Sequence, residues 1–187
     1  MTLPKKFYLD TEFIERPDTI KLVSIGIVDE DGKEFYAEML NIPIVLKQIY
    51  GHPDLMDPWI KENVIDKLWQ NNREYDLMEN FLAAGGQGGY YQGKRDLALA
   101  ILDFIGDVEP EFWAYFADYD WVVFCWIFGR MIDLPRGFPM YCNDIKQLHY
   151  SMGNHKSMLP PQPSDEHNAL ADARWNKLAH KALVNYI

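Results

Sequence analysis

The 187-residue chain has the length of one domain, or of one domain with an elaborated loop. Its residues are 48% hydrophobic and 14% aromatic, which suffices for a sizeable core and excludes a chain that is disordered throughout. The formal net charge of −10 argues against a broad basic surface for a long nucleic-acid duplex, but it is compatible with an acidic site that metal ions neutralise.

Two further features indicate a cytoplasmic protein with no membrane segment. No stretch approaches the roughly 18–20 consecutive apolar residues of a bilayer span, and the N-terminus has no apolar region of the kind found in secretory signals. Cys125 and Cys142 form no Cys-x-x-Cys pair, so we predict reduced thiols in the core.

The first 40 residues predict an antiparallel β-meander. Residues 5–10 and 19–28 are rich in the apolar and β-branched side chains of strands, and residues 34–40 alternate as a third strand. Asp31-Gly32 lies between the second and third strands and is a strong hairpin signal.

Residues 41–93 are less regular than the rest of the chain. Residues 58–69 have a helical apolar pattern, and "GGQGG" at 85–89 indicates a flexible stretch. Three roles for this segment remain open, namely covering a site, contacting a second subunit, or packing on the sheet.

The second half alternates helices and strands. The predicted elements are a helix at 94–106, a strand at 111–117, an apolar helix at 119–131, a short strand at 139–144, a helix at 145–153 and a terminal helix at 167–187. The order predicts an α/β fold with a mixed five-stranded sheet flanked by helices. No repeat or second domain is visible, so we predict a single domain over 1–187 with an elaborated segment at about 41–93.

"FYLDTEFIE" at 7–15 places two carboxylates, Asp10 and Glu12, two positions apart in an apolar run. Side chains two apart on a strand share a face, so these carboxylates repel each other unless a cation lies between them. The alternative is an exposed strand face or a single charged pair.

A third acidic position follows the apolar run before the predicted helix at 119–131. Asp118 and Asp120 lie at a junction of strand and helix, where α/β folds place their sites. The alternative, an aspartate that caps the helix, is favoured by this stretch alone.

"HNALADAR" at the start of the last helix adds His167 and Asp172. The two would lie about 140° apart on one continuous helix, so both reach one site only if His167 is on the entry loop. A surface histidine beside a helix carboxylate is the simpler interpretation of this stretch alone.

Taken together, the three stretches predict more than each does separately. Four carboxylates can hold two divalent cations, and two such ions roughly 3.5–4 Å apart stabilise the attacking and leaving oxygens of a phosphoryl displacement. A histidine can take the proton from the attacking water.

This ordered set resembles the DEDDh branch of the 3′–5′ exonucleases, which includes oligoribonuclease, ribonuclease T and proofreading exonuclease subunits. Asp10 and Glu12 match its first motif, Asp120 its second, and His167 with Asp172 its third. Small bacterial 3′–5′ exoribonucleases are especially similar, and the likeness covers nearly the whole chain. It implies a ribonuclease H-like fold and two Mg²⁺ or Mn²⁺ ions.

The resemblance also implies a role for each residue. Asp10 would bridge both metals, Glu12 and Asp172 would hold the metal that activates water, Asp120 would support the second metal, and His167 would be the general base. Phe13 would stack on the terminal base or pack in the core, two alternatives that remain open. Asp118 is a rival to Asp120.

"GGYYQGKR" at 88–95 nearly fits a phosphate-binding P-loop, but Arg95 occupies the position of the required hydroxyl. We interpret the stretch as a loop before a helix. Lys94 and Arg95 are candidates for contact with a substrate phosphate, although a solvated charge pair is the simpler interpretation. Three histidines without ligand-spaced partners are predicted to be structural or on the surface: His149, His155 and His180. The tryptophans at 113, 121 and 126 are predicted to be core residues.

The sequence thus favours a 3′–5′ exoribonuclease that releases nucleoside 5′-monophosphates from the 3′ end of single-stranded or overhanging RNA, or from a short oligonucleotide. RNA is preferred to DNA on family likeness alone. The alternatives are an exodeoxyribonuclease, a catalytically idle nucleic-acid- or protein-binding module on the same fold, and a P-loop nucleotide hydrolase. The resemblance also implies a homodimer.

Overall fold

The computed structural model describes residues 4–51, 56–71, 76–162, 165 and 167–186. Residues 52–55 and 72–75, which belong to the predicted irregular segment, therefore lie outside the described residues.

A six-stranded mixed sheet forms the centre of the described chain. Its spatial order is β4-β3-β2-β1-β5-β6, in which β2 is antiparallel to both β1 and β3 and the remaining pairings are parallel. The predicted α/β class with a mixed sheet and an opening meander is confirmed, and the architecture is consistent with a ribonuclease H-like fold. The strands are β1 (Lys5–Arg16), β2 (Thr19–Asp29), β3 (Glu34–Met39), β4 (Gln87–Tyr91), β5 (Pro110–Ala114) and β6 (Asn143–Asp144).

Strand β4 raises the predicted count of five strands to six, and it forms where we predicted a flexible stretch. Gly88 has φ 132°, and a Cβ added there would lie 1.8 Å from the Tyr36 carbonyl oxygen. Only glycine permits this approach to β3. Glycine has low strand propensity, so the residue that allows β4 to join the sheet also prevents β4 from being predicted from the sequence.

Helices cover both faces of the sheet. The helices α1, α4 and α5 share a buried apolar cluster with Phe7 and Leu9 on one face, whereas α3, α6 and α7 pack on the face that bears Tyr8. The α-helices are α1 (Ile42–Tyr50), α2 (Pro58–Ile60), α3 (Leu77–Ala83), α4 (Lys94–Ile105), α5 (Ala117–Phe128), α6 (Ile145–Ser151) and α7 (Ala169–Val184). None of the helices in the described ranges has the length and apolar character needed to cross a bilayer.

The predicted helix at 58–69 is largely wrong. Only Pro58–Ile60 is α-helical, after which the chain widens into a π-helical turn at Lys61–Ile65 and makes a 3₁₀ turn at Trp69–Asn71. In the widened turn the Asp66 amide donates to the Lys61 carbonyl five residues earlier, 2.8 Å away. The apolar spacing in this segment does not distinguish a π turn from an α turn, since the two differ by one residue.

Strand β1 is longer than predicted, and an irregularity in β2 lies beside its acidic pair. Asp10 pairs with Gly26 and Glu12 with Ser24, but Phe13 pairs with Leu22, so Val23 has no partner on β1. Such a bulge bends the strand and redirects the side chains next to it, as is common beside active sites.

Helix α7 begins directly on the sheet at Gly26. A Cβ at this position would lie 2.3 Å from the Ala169 carbonyl oxygen and 2.6 Å from the Leu170 Cα. Gly26 is opposite Asp10 in the β1–β2 register, so its missing side chain lets the first turn of α7 lie next to Asp10.

We expect Gly26→Ala to lower the free energy of unfolding by about 3 kcal/mol, the upper end of the cost of overpacking, because backbone atoms would have to move. Chemical denaturation measures this loss. Gly93→Ala is the matched control, since an added Cβ contacts nothing there within 4 Å, and only the cost of up to about 1 kcal/mol for a poorer helix cap should appear. Equal losses in the two variants would contradict the packing argument.

Candidate active site

A pocket of about 330 Å³ opens where β1, α5 and the start of α7 meet. It contains all five side chains that the sequence predicts for catalysis, together with Phe13. Its lining is Asp10, Thr11, Glu12, Phe13, Trp59, Val64, Tyr115, Phe116, Tyr119, Asp120, His167 and Asp172.

Three carboxylates converge on the α7 side of the sheet. Oxygen atoms of Asp10, Glu12 and Asp172 all lie within 4.8 Å of one another. The first two come from one face of β1, and the third comes from the first turn of α7, which Gly26 admits to the sheet. Hard oxygen ligands at this spacing suit a divalent cation such as Mg²⁺ or Mn²⁺.

Asp120 reaches the same pocket from α5, on the other side of the sheet. Its Oδ1 accepts hydrogen bonds from the Thr11 amide at 2.8 Å and the Thr11 hydroxyl at 2.6 Å. Thr11 alternates with the acidic pair along β1, so it faces α5 while its neighbours face α7. The sequence analysis missed Thr11, although its place between two acidic residues on a strand is a usable signal.

The helix-cap alternative for Asp120 is wrong in this fold. Helix α5 begins at Ala117, earlier than predicted, and Phe116 occupies the cap position. Asp120 is therefore inside the helix and buried, whereas Asp118 is exposed and does not line the pocket. The structure thus places Asp120, and not its rival, beside the other carboxylates.

Mutual repulsion and burial shift the acidity of this cluster. Burial, followed by the charges of Asp120, Glu12 and Asp172, raises the pKa of Asp10 well above its ordinary value. Burial and the charges of Asp172 and Asp120 raise the pKa of Glu12 to about 8. Burial also raises the pKa of Asp120 to about 7, although the hydrogen bonds from Thr11 oppose the shift. Without cations, the cluster therefore resists full ionisation.

His167 lies on the entry loop, two residues before α7 begins at Ala169. Its backbone is left-handed, with φ 68°, and its amide donates to Asp172 Oδ2 at 2.8 Å. This is the loop placement that lets both residues reach one site. The imidazole also makes an edge contact with Trp59, at 5.0 Å between ring centroids.

Aromatic side chains line the rest of the pocket. Phe13 meets Tyr119 edge to face, at 5.9 Å between centroids, and is also packed against the core cluster. Tyr115, Phe116 and Trp59 complete the aromatic lining. The sequence analysis missed these residues apart from Phe13, because an aromatic residue in an apolar run gives no sign of facing a pocket.

The segment that carries Trp59 is attached to the sheet through Glu38. This buried carboxylate accepts hydrogen bonds from the Tyr36 hydroxyl at 2.7 Å and from the backbone amides of Trp69 and Gln70. Burial raises the pKa of Glu38, whereas these hydrogen bonds oppose the shift. The described part of the 41–93 segment therefore both packs on the sheet and contributes Trp59 and Val64 to the pocket.

Lys94 and Arg95 lie away from this pocket, at the first turn of α4, so their predicted phosphate contact gains no support from the geometry. The Lys94 ammonium donates instead to the Trp126 carbonyl at 3.0 Å. The P-loop alternative has no suitable loop, since Gly88 is in strand β4 and only residues 92 and 93 separate β4 from α4.

The remaining candidates are mostly structural, as predicted. His180 is buried, stacks on Trp113 and bonds the Tyr8 hydroxyl through Nδ1 at 2.9 Å. Trp121 is buried, but Trp126 is 39% exposed and is not the core residue that we predicted. Both cysteines are free thiols, buried at Cys125 and half-buried at Cys142.

Comparison with known proteins identifies the family. Residues 5–184 match the family described as the 3′-5′ exoribonuclease Rv2179c-like domain. The chain is also 31% identical over 177 residues to two curated proteins, which covers 90% of this chain and 87% of each relative. These are 3′-5′ exoribonuclease Rv2179c of Mycobacterium tuberculosis H37Rv and 3′-5′ exoribonuclease MT2234.1 of strain CDC 1551.

The family match covers all six strands and every residue that lines the active-site pocket. The two curated relatives align with the chain over nearly the same length. The chain belongs to the Rv2179c-like 3′-5′ exoribonuclease domain family.

Proposed function

We propose that this protein is a metal-dependent 3′–5′ exoribonuclease of the DEDDh type, which releases nucleoside 5′-monophosphates from the 3′ end of RNA. The observation that carries the proposal is the convergence of Asp10, Glu12 and Asp172, whose oxygens lie within 4.8 Å of one another, in a pocket that also contains Asp120 and His167. The names of the two relatives support RNA as the substrate and the 3′ end as the starting point.

The donor set suits two divalent cations. Asp10 would be a ligand of both ions. Glu12 and Asp172 would be further ligands of one ion, and Asp120 would support the other. When bound, Mg²⁺ or Mn²⁺ would supply charge that stabilises the attacking and leaving oxygens of the phosphoryl displacement. The raised pKa values of Asp10, Glu12 and Asp120 support the assignment, because a bound cation would offset the cost of burying these charges, which is the main cause of the shifts.

His167 is the proposed general base. We assign its imidazole to remove the proton of the water whose oxygen attacks phosphorus, while the bond from phosphorus to the 3′-oxygen of the preceding nucleotide breaks. The leaving oxygen then takes a proton from solvent. The Asp172 carboxylate positions the histidine through its backbone amide, and Trp59 contacts one side of the ring.

The pocket favours one terminal nucleotide over a long duplex. The pocket has a volume of about 330 Å³ and is bordered by Phe13, Tyr119 and Trp59, which suits the 3′ end of a single strand. Stacking of the terminal base on one of these rings would hold that end. The net charge of −10 disfavours an extended backbone track. A cytoplasmic location and a homodimer remain predictions from the sequence.

Replacing either Asp120 by Asn or His167 by Ala is expected to lower kcat about 10²–10⁴-fold, the usual range for a lost acid–base or charge-stabilising group. The assay follows Mg²⁺-dependent mononucleotide release from matched 3′-labelled and 5′-labelled RNA and DNA strands, with and without chelator. Asp118→Asn is the control, since it makes the same change two residues away on the exposed surface of α5.

Full activity in Asp120→Asn and His167→Ala would reject the assignment. Binding to a 3′ end without product, even after long incubation with Mn²⁺, would instead favour the idle-module alternative.

A second prediction concerns stability without metal. The pKa of Glu12 rises from an ordinary 4.5 to about 8 on folding, so the folded state keeps a proton that the unfolded state loses. Stability in chelator should therefore fall as pH rises from about 4.5 to about 8. A glutamine at this position is neutral at every pH, so in chelator Glu12→Gln should be more stable than the native protein at pH 8, by a margin that shrinks toward pH 5.

Thermal and chemical unfolding at pH 5, 6.5 and 8 measure the effect, and added Mg²⁺ or Mn²⁺ should raise the Tm of the native protein more than that of Glu12→Gln. Glu15→Gln, an exposed position on the same strand, is the control. Parallel pH profiles for the native protein and Glu12→Gln would show that Glu12 carries no such strain.

A further inference from the structure

A second pocket, of about 460 Å³, adjoins the active-site pocket. Tyr115 lines both of them, and its ring meets Trp175 edge to face at 5.0 Å between centroids. The two pockets therefore share one aromatic wall, so a chain leaving the first can enter the second without crossing the sheet.

The charges that line the two pockets are opposite in sign. The active-site pocket contains Asp10, Glu12, Asp120 and Asp172, whereas the described lining of the second pocket includes Lys146 and Lys156 and no carboxylate. In a chain with 28 acidic and 18 basic residues, a pocket whose described lining has positive but no negative side chains is a departure from the average surface.

A well-bonded loop positions these lysines. The buried His149 contacts the His155 carbonyl through Nε2 at 3.0 Å, and the Asn154 amide donates to the His149 carbonyl at 3.0 Å. The Lys146 ammonium donates to Asn154 Oδ1 at 2.6 Å, and Asn154 itself has φ 57°. Asn154 thus ties Lys146, on α6, to the loop that carries Lys156, and both lysines line one pocket.

The opposite side of the pocket is rigid and apolar. The Trp175 indole is buried, and its N–H donates to the carbonyls of Pro160 and Pro161, at 3.3 Å and 3.1 Å. Within the described chain, His149 Nδ1 is buried without a hydrogen-bond partner, and since Nε2 faces a carbonyl and must carry the proton, Nδ1 is an acceptor. Because Nδ1 is enclosed, the features of the pocket that suit a nucleotide are its ammonium groups and its aromatic surface.

We propose that this second pocket binds the RNA strand 5′ of the scissile bond, with Lys146 and Lys156 contacting the backbone phosphate and Tyr115 and Trp175 bordering the nucleotide. The inference rests on the proposed exoribonuclease function. It assigns the cation-binding carboxylates to the scissile phosphate and the lysines to the next phosphate along the chain, where no cation is needed. Such contacts add affinity without sequence preference.

The test compares two substrates that differ in the phosphates they carry. A dinucleoside monophosphate contains the scissile phosphate alone, whereas a pentaribonucleotide also carries phosphates on its 5′ side. In the double variant K146Q/K156Q we expect KM for the pentaribonucleotide to rise about tenfold, on the scale of two surface charge contacts, with kcat unchanged. Hydrolysis of the dinucleoside monophosphate should not change.

The control removes the same charge elsewhere. K177Q/K181Q neutralises two lysines that line a different pocket, farther along α7, and should leave both substrates unaffected. K156Q alone should show part of the effect, and it avoids the Lys146–Asn154 hydrogen bond in case K146Q disturbs the loop.

Binding of the 5′-fluorescein pentaribonucleotide, measured by anisotropy in chelator, tests the pocket without requiring catalysis. Here the slope of log K against log salt should lose about 0.7 in magnitude in K146Q/K156Q, since the two lysines share one phosphate and one single-strand phosphate contact contributes about 0.7. An unchanged slope and unchanged KM, or equal changes in K177Q/K181Q, would overturn the inference. Absence of any hydrolysis by the native protein would instead refute the proposed function and leave the binding result to stand separately.

Discussion

One steric constraint determines where the acidic side chains meet: the first turn of α7 lies directly on the sheet at Gly26. Gly26 is opposite Asp10 in the strand register, so the missing Cβ brings Asp172 beside a residue that precedes it by most of the chain. From the other face, Thr11 holds Asp120 with two hydrogen bonds. Strand β1 thus brings together side chains from α5 and α7, which pack on opposite faces of the sheet.

Gathering these carboxylates in a buried pocket lowers the stability of the fold. Burial and mutual charge raise the pKa values of Asp10, Glu12 and Asp120, so each costs folding free energy when it ionises without a counterion. The apolar core on the α5 side, built around Phe7 and Leu9, offsets that cost. At such a site, replacing a carboxylate by an uncharged residue is expected to stabilise the fold and abolish the activity.

Much of this arrangement was predictable from local pattern. The meander, the helices at α4, α5 and α7 and the acidic motifs follow from periodicity, turn residues and motif spacing, and the geometry brings the predicted acidic set and His167 into one pocket. Strand β4 was not predictable, because Gly88 is required by a neighbour 52 residues earlier, at Tyr36. Trp59 lies on a segment that Glu38 holds through the amides of residues 69 and 70, a tertiary contact that no local pattern encodes.

The hydrogen bond between Asp172 and the His167 amide has a consequence for how the histidine loop responds to charge. A left-handed backbone at a non-glycine residue is intrinsically unfavourable by about 1 kcal/mol or more, so His167 keeps it only while its surroundings compensate. The acceptor that compensates is an oxygen of the acidic cluster itself. A substitution that removes the charge of Asp172 therefore weakens this acceptor and also acts on the backbone that carries the histidine, five positions away.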